Sequence, residues 1–243
     1  MQGTARRLAH GLFALLFSVV VMTPSTAEST SRELPTRAQV YVSAPEGEAT
    51  AEAAAPSFFT AEHPLVDEEL RRIQDSRGYA VAYLRAVDEF AYFEDMVLDA
   101  FEAEGVPFEL AAVPIIESGY KNVVQVVPKG YDRAYQAAGV WQFIPGTARA
   151  FGLTVSGGVD ERLNPAAQTV AAARYFRKLY DQLGDWGLAL AGYNQGPRRV
   201  QDAIARTGER DVFKLVEMGA LNNYAIKVRV AADVLKDPEL LTP

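Results

Sequence analysis

Residues 107–120 read Pro107-Phe108-Glu109-Leu110-Ala111-Ala112-Val113-Pro114-Ile115-Ile116-Glu117-Ser118-Gly119-Tyr120. From Leu110 to Ile116 every side chain is apolar, too continuous a run for a helix with one wet face, so the segment is expected as a buried helix closing on a glutamate. Pro114 lacks a backbone donor and is expected to distort it locally. A carboxyl at the end of such a run is partly desolvated, which disfavours its charged form and raises its pKa. Taken by itself, Glu117 still reads more simply as a surface residue in a last helical turn; its neighbours in the chain change that weight.

Working outward, helical patterns follow one another. Upstream, Pro64 suits the first turn of a helix carrying Leu65, Leu70 and Ile73, with Gly78 expected to mark the break after it. A longer amphipathic helix is expected from about Ala80 to Glu104, with Phe90, Phe93, Val97 and Phe101 on its core face and Gly105 ending it. Its acids, Asp88, Glu89, Glu94 and Asp95, read as a solvated face and not as a metal cluster. Downstream, Gly139-Val140-Trp141-Gln142-Phe143-Ile144-Pro145-Gly146-Thr147-Ala148 sets a tryptophan and an uncharged amide in a tight element before a helix beginning around Thr147. Asn164 can cap, and Pro165 open, a helix over 166–180. Leu188-Ala189-Leu190-Ala191-Gly192-Tyr193-Asn194-Gln195-Gly196-Pro197 reads as a buried helix that stops at Tyr-Asn beside a Gly-Pro breaker. With few β-branched alternations and no internal repeat, the expected architecture is all-α.

Composition bounds the function. The chain has 243 residues, 24 Lys plus Arg against 31 Asp plus Glu, and a formal charge of -7, which argues against nucleic acid as a partner. The absence of cysteine excludes disulfides, thiolate metal sites and a cysteine nucleophile. His10 and His63 are too few for a multi-histidine zinc site, and no cofactor signature is present. Residues 1–27 read as a signal peptide: Arg6 and Arg7, an apolar stretch from Leu12 to Met22, and Ser25-Thr26-Ala27 as a cleavage site. The mature chain is therefore expected outside the cytoplasm, with membrane association only if that segment is retained. Residues 28–56, rich in Ser, Thr, Ala, Glu and Pro, read as a flexible linker. No LysM-like repeat is found after Leu235, so a downstream sugar-binding module is not expected.

Glu117-Ser118, the run from Gly139 to Thr147 and the run from Gly192 to Gly196, in this order, resemble the soluble lytic transglycosylase catalytic domain, in its membrane-bound lytic murein transglycosylase D branch. Leu110 to Ile116, Asn164-Pro165 and Asn223-Tyr224 support the likeness, which covers about 63–235. It implies a lysozyme-like helical domain at 105–238, preceded by a helical extension at 57–104 packed on it. The implied activity is cleavage of the MurNAc-β-1,4-GlcNAc bond of peptidoglycan glycan strands, leaving 1,6-anhydro-MurNAc ends. Glu117 is the implied acid and then base, with Ser118, Gln142, Phe143, Tyr193, Asn194 and Tyr224 as substrate-binding residues. Gln142 would donate its amide to substrate oxygens, and Tyr193 would hold Glu117 or stabilise developing positive charge. Trp141 reads equally as a sugar-stacking platform or as core.

The three motifs hold one carboxylate, whereas most glycosidases need two. If the sugar's own C6 hydroxyl attacks C1, the substrate supplies the nucleophile and one carboxyl suffices. A goose-type lysozyme, with Asp160 or Glu161 as the base that delivers water, is the hydrolytic alternative, although both read better as loop acids before the Asn164 cap; a catalytically silent wall-binding or scaffolding module is the non-enzymatic one. The connection from Lys121 to Ala138 is several residues longer than the family usually has. Oligomeric state is not legible in the sequence.

Overall fold

The computed structural model describes residues 57–128, 130 and 132–242. The expected signal peptide and linker lie outside the described residues. Helix α1 (Pro64–Gln74) opens on the proline, and the His63 ring caps it by accepting from the Leu65 amide at 3.2 Å while stacking on Phe213. The break after α1 falls earlier than Gly78, at Asp75. Ser76 caps α2 (Arg77–Phe90), and Gly78 lies inside its first turn.

The single helix expected over 80–104 is two. After α2 the chain turns through 91–93 and restarts as α3 (Glu94–Glu104), which Gly105 ends at φ 61°. The break has a packing cause. A straight helix would carry Phe90 and Phe101 about 16 Å apart along one axis. The turn instead lets Phe90 and Phe93 both reach the Tyr120 ring, each at 5.4 Å, while Phe101 packs on Trp141 and Phe176.

The stretch at 107–120 is not one helix either. A 3-10 turn at Phe108–Ala112 leads into the short α4 (Val113–Glu117). Pro114 stands in the first turn of α4, where its missing N–H breaks no intrahelical bond. Leu110, Ala111, Ala112 and Val113 are wholly buried. The chain leaves α4 sharply: the Ser118 and Tyr120 amides both donate to the Pro114 carbonyl, at 3.0 and 3.2 Å, and Gly119 and Tyr120 take φ values of 60° and 59°.

Helix α5 (Pro145–Ala150) starts two residues before the expected Thr147. A ribbon of two-residue strands, β1 (Val155–Ser156) and β2 (Val159–Asp160), then precedes α6 (Pro165–Leu183). Asn164 caps α6 as expected, its Oδ1 accepting from the amides of Ala166 and Ala167. Helix α7 (Trp186–Gln195) is buried from Gly187 to Gly192 among α6, α8 (Pro197–Thr207) and α10 (Tyr224–Lys236), which explains its apolar sequence on every side. Helix α9 (Val212–Glu217) closes over α7 and α8. The architecture is all-α, and the described residues share one unit, Ala53–Pro243.

Gly139 is fixed by a close approach. It takes φ 87°, and a Cβ there would stand 2.0 Å from the Arg162 carbonyl oxygen and 2.2 Å from Gln168 Oε1. Gly139→Ala must therefore strain the backbone and displace the buried Gln168. The expected loss is about 3 kcal/mol or more, read as a fall of roughly 6–12 °C in thermal midpoint.

Candidate active site

Glu117 ends α4, so its backbone is tethered by apolar side chains on the core side while its carboxyl stands at the helix terminus. The residue is half-buried. Burial pushes the carboxyl up to about 7, and a hydrogen bond from the Tyr224 hydroxyl, 2.6 Å from Oε1, pulls it back in part. No other carboxylate contributes to that shift among the described residues. The group is thus poised to exchange a proton near neutrality, and what raises it is desolvation, not charge crowding.

The partner of Glu117 is Tyr224, at the first position of α10, and not Tyr193. The Tyr193 hydroxyl donates to the Trp141 carbonyl at 2.6 Å. Burial, and then the neighbouring Glu117 charge, raise both tyrosines well above their ordinary value, so both remain protonated donors. Ser118 donates its hydroxyl to the Val140 carbonyl at 2.8 Å. Ser118, just past the end of α4, and Tyr193, on α7, therefore clamp successive carbonyls of the Val140-Trp141 segment. That contact places the second motif against the first and third.

Gln142 is held differently from the expectation. Its backbone takes φ 49°, and its amide nitrogen donates to the carbonyls of Gly139 at 2.7 Å and Val123 at 3.1 Å. Those donors are committed to the chain, so the expected donation to substrate would require breaking them. Phe143 is buried, with its ring against Tyr175 and Tyr193, and backs the wall from behind. Trp141 is wholly buried and its indole donates to Thr169 at 3.0 Å, which decides its two readings in favour of core. Asn194 accepts from Asn222 at 2.9 Å, in a polar chain that continues through Gln195 to Arg199 on the surface beside Tyr193.

Three residues behind the wall went unread in the sequence. Gln168, wholly buried on α6, accepts from the Trp141 amide and donates to Asn122. Arg162 is buried and forks onto Asp160 at 2.9 and 2.7 Å, while donating to the carbonyls of Gln136 and Phe143. The Tyr120 hydroxyl returns to the Ala111 carbonyl. The one available signal was chemical: an arginine two residues from an acid, and a glutamine amid alanines. Arg162 also holds the Asp160 carboxyl below its usual range, and Glu161 accepts from the Thr154 amide at 2.6 Å. Both acids are occupied in shaping the loop before α6.

Among the described residues no group of three or more His, Asp or Glu side chains is placed to hold a metal ion, and no helix is long and apolar enough to cross a membrane. A surface depression between α1 and α10, lined in part by His63, Asp67, Arg229 and Lys236, contains none of the site residues.

Residues 99–216 match the family described as Transglycosylase SLT domain. The chain is 29% identical over 181 residues to the membrane-bound lytic murein transglycosylase D of Escherichia coli strain K12, an alignment covering 72% of this chain and 38% of that protein. The same identity and coverage hold for the protein of that name from Escherichia coli O6:H1. The chain thus spans well under half the length of these relatives. The family match contains Glu117, the Val140-Trp141 wall and Tyr193, and stops before Tyr224. The family match and these relatives thus support the likeness to the transglycosylase SLT domain, over residues 99–216.

Proposed function

We propose that the chain is a lytic transglycosylase that cleaves the MurNAc-β-1,4-GlcNAc bonds of peptidoglycan in the periplasm and leaves 1,6-anhydro-MurNAc ends. The observation that carries this reading is a lone carboxyl held near neutrality by desolvation and one tyrosine hydroxyl. The relatives' names supply the substrate, murein, and the class of reaction.

Protonated Glu117 gives its proton to the glycosidic oxygen as the bond from C1 breaks, and positive charge spreads over C1 and the ring oxygen. The C6 hydroxyl of the same MurNAc closes on C1, and the Glu117 carboxylate accepts the proton that this hydroxyl releases. One bond breaks and one forms, no water is consumed, and Glu117 ends protonated, ready for a second turnover. Tyr224 keeps the carboxyl oriented through both transfers. Ser118 and Tyr193 fix the wall opposite, where Asn194 supplies a polar edge for sugar hydroxyl or acetamido groups. A hydrolytic route would need a second carboxylate across the bond. The commitments of Asp160 to Arg162 and of Glu161 to Thr154 support the anhydro route over it.

Peptidoglycan digested by this protein should yield fragments lighter by one water than lysozyme products, read by mass spectrometry. Glu117→Gln should lose that cleavage by roughly 10²–10⁴-fold. Fragments of full hydrolytic mass would replace this reading with a lysozyme, and undiminished cleavage by the folded variant would remove Glu117 from the chemistry.

The same substitution has an opposite effect on stability. The carboxyl binds its proton more tightly in the folded chain, at about 7 against 4.5 for the free group, so stability falls as pH rises through that window. An amide has no charge to desolvate. At pH 8 Glu117→Gln should therefore melt higher than the parent, by the equivalent of about 1–3 kcal/mol, and at pH 4 the difference should vanish.

The pH dependence of kcat/KM should fall about tenfold per unit above roughly pH 7, as the acid form is lost. Because the Tyr224 hydrogen bond favours the charged carboxylate, Tyr224→Phe should shift that falling limb to higher pH while lowering the maximum rate roughly tenfold. A lowered rate with an unmoved limb would make Tyr224 a packing residue only.

A further inference from the structure

Helix α10 begins irregularly. The residue at its capping position, Asn223, has φ -84° and ψ 19°, away from the extended geometry in which a side chain caps its own helix, and it makes no capping hydrogen bond. The acceptor comes from one residue earlier, where Asn222 Oδ1 takes the Tyr224 amide at 3.1 Å. The same side chain faces the end of α7. Its Oδ1 also accepts from Gln195 Nε2 at 2.9 Å, and its Nδ2 donates to Asn194 Oδ1 at 2.9 Å. The Asn222 amide returns to Gln195 Oε1 at 3.4 Å, an oxygen that also accepts from Arg199 Nε at 3.0 Å. An exposed asparagine thus joins the last residues of α7 to the first amide of α10.

These two helix ends carry the two tyrosines of the site. Tyr193, two residues before Gln195, holds the Trp141 carbonyl, and Tyr224, two residues after Asn222, donates to Glu117 Oε1 at 2.6 Å. A hydrogen bond to a carboxylate is short and directional, and it weakens steeply when its donor is turned or withdrawn. The Tyr224 hydroxyl stands at the far end of a rigid ring, so a small rotation of the first turn of α10 is magnified at that oxygen. Burial of the ring is non-directional and does not fix the rotation. Asn222 does, because it grips the Tyr224 amide and ties it to α7.

We propose that Asn222 is a positioning residue for the acid, holding the start of α10 against the end of α7 and so aiming the Tyr224 hydroxyl at Glu117. The inference deepens the reading given above and rests on it for the role of Glu117. Among the described residues, the titratable groups coupled to the acid are Tyr224 from α10 and Tyr193 from α7. Arg199, the charged end of the polar chain, is exposed and does not act on the carboxyl. Asn222 carries no charge of its own, so its loss reaches the acid through the tyrosines.

The test follows Glu117 directly. In the full chain carrying isotope-labelled glutamate, the carboxyl resonance that disappears in Glu117→Gln is titrated by NMR in the parent, Asn222→Ala, Tyr224→Phe and the double variant. Asn222→Ala should move the midpoint upward by about half a pH unit, in the same direction as Tyr224→Phe. The double variant should titrate with Tyr224→Phe alone, since a residue that acts through that hydroxyl has nothing left to act on. The falling limb of kcat/KM should move with the midpoint. A midpoint unmoved by Asn222→Ala, or a shift that adds in full to that of Tyr224→Phe, overturns the proposal whatever the thermal midpoint does. So does a raised KM with an unmoved limb, which would make Asn222 a support for Asn194 at the substrate. Should Asn222→Ala unfold, Gln195→Ala removes the α7 side of the tie and leaves the cap: an upward shift upholds the proposal and none overturns it. Absence of any Glu117-dependent product from the parent chain would overturn the proposed activity, and the titration would still decide the role of Asn222.

Discussion

A carboxyl group placed where water is scarce must be given a donor or left protonated, and the arrangement around Glu117 follows from that constraint. Helix α4 is five residues long, too short to be stable by its own hydrogen bonds, and is held by the burial of Val113, Pro114 and Ile115. Its end is fixed in the core, so the carboxyl cannot move outward to hydrate fully. The donor it receives comes from Tyr224, 107 residues later, and this requires the first turn of α10 to be buried against the same core. The site is therefore assembled by the packing of α4, α7 and α10, and not by any local motif.

The segment clamped by Ser118 and Tyr193 obeys a second constraint. Residues 139–143 have no regular structure to satisfy their backbone, yet Gly139, Val140, Trp141 and Phe143 are buried. An irregular buried segment must find partners for its amides and carbonyls outside any helix or sheet ladder, here from side chains as well as from the backbone of Val123 and Ala138. Ser118 and Tyr193 supply two donors, Gln168 accepts one amide, and Arg162 and Gln142 meet further carbonyls. No buried side-chain nitrogen or oxygen is left without a partner among the described residues. The motif residues that resemble a binding site are in large part the scaffold that lets such a site exist.

These two constraints explain what could be read in advance. Helix starts at Pro64 and Pro165 were legible because proline and its preceding cap act locally, and the unusual position of Glu117 was legible because hydrophobicity around a carboxyl is a local property. The break at 91–93 was not, since the amphipathic period continues through it and only the different partners of α2 and α3 decide it. The Tyr224 contact was equally hidden: two tyrosines at helix ends compete for one carboxyl, and the choice depends on where α10 lands. Gln142 misled for a related reason. A free amide in a glycine-rich turn looks available, but its left-handed backbone aims it at its own carbonyls.

The departures from ordinary local rules are not scattered. Among the described residues the two non-glycine residues with positive φ, Tyr120 and Gln142, lie next to the wall, and the wholly buried Gln168 stands behind it. Among the described residues Glu117 is the carboxyl pushed furthest toward neutrality, and it lies at the same place. Strain and unfavourable burial that stability alone would remove persist where geometry is over-determined by surrounding structure. Here the surroundings are a core helix, two hydroxyl clamps and a buried arginine, which hold the acid and residues 139–143 in one relation. Among the described residues no other carboxylate acts on the acid so held, which supports the proposed chemistry in which the substrate brings its own nucleophile.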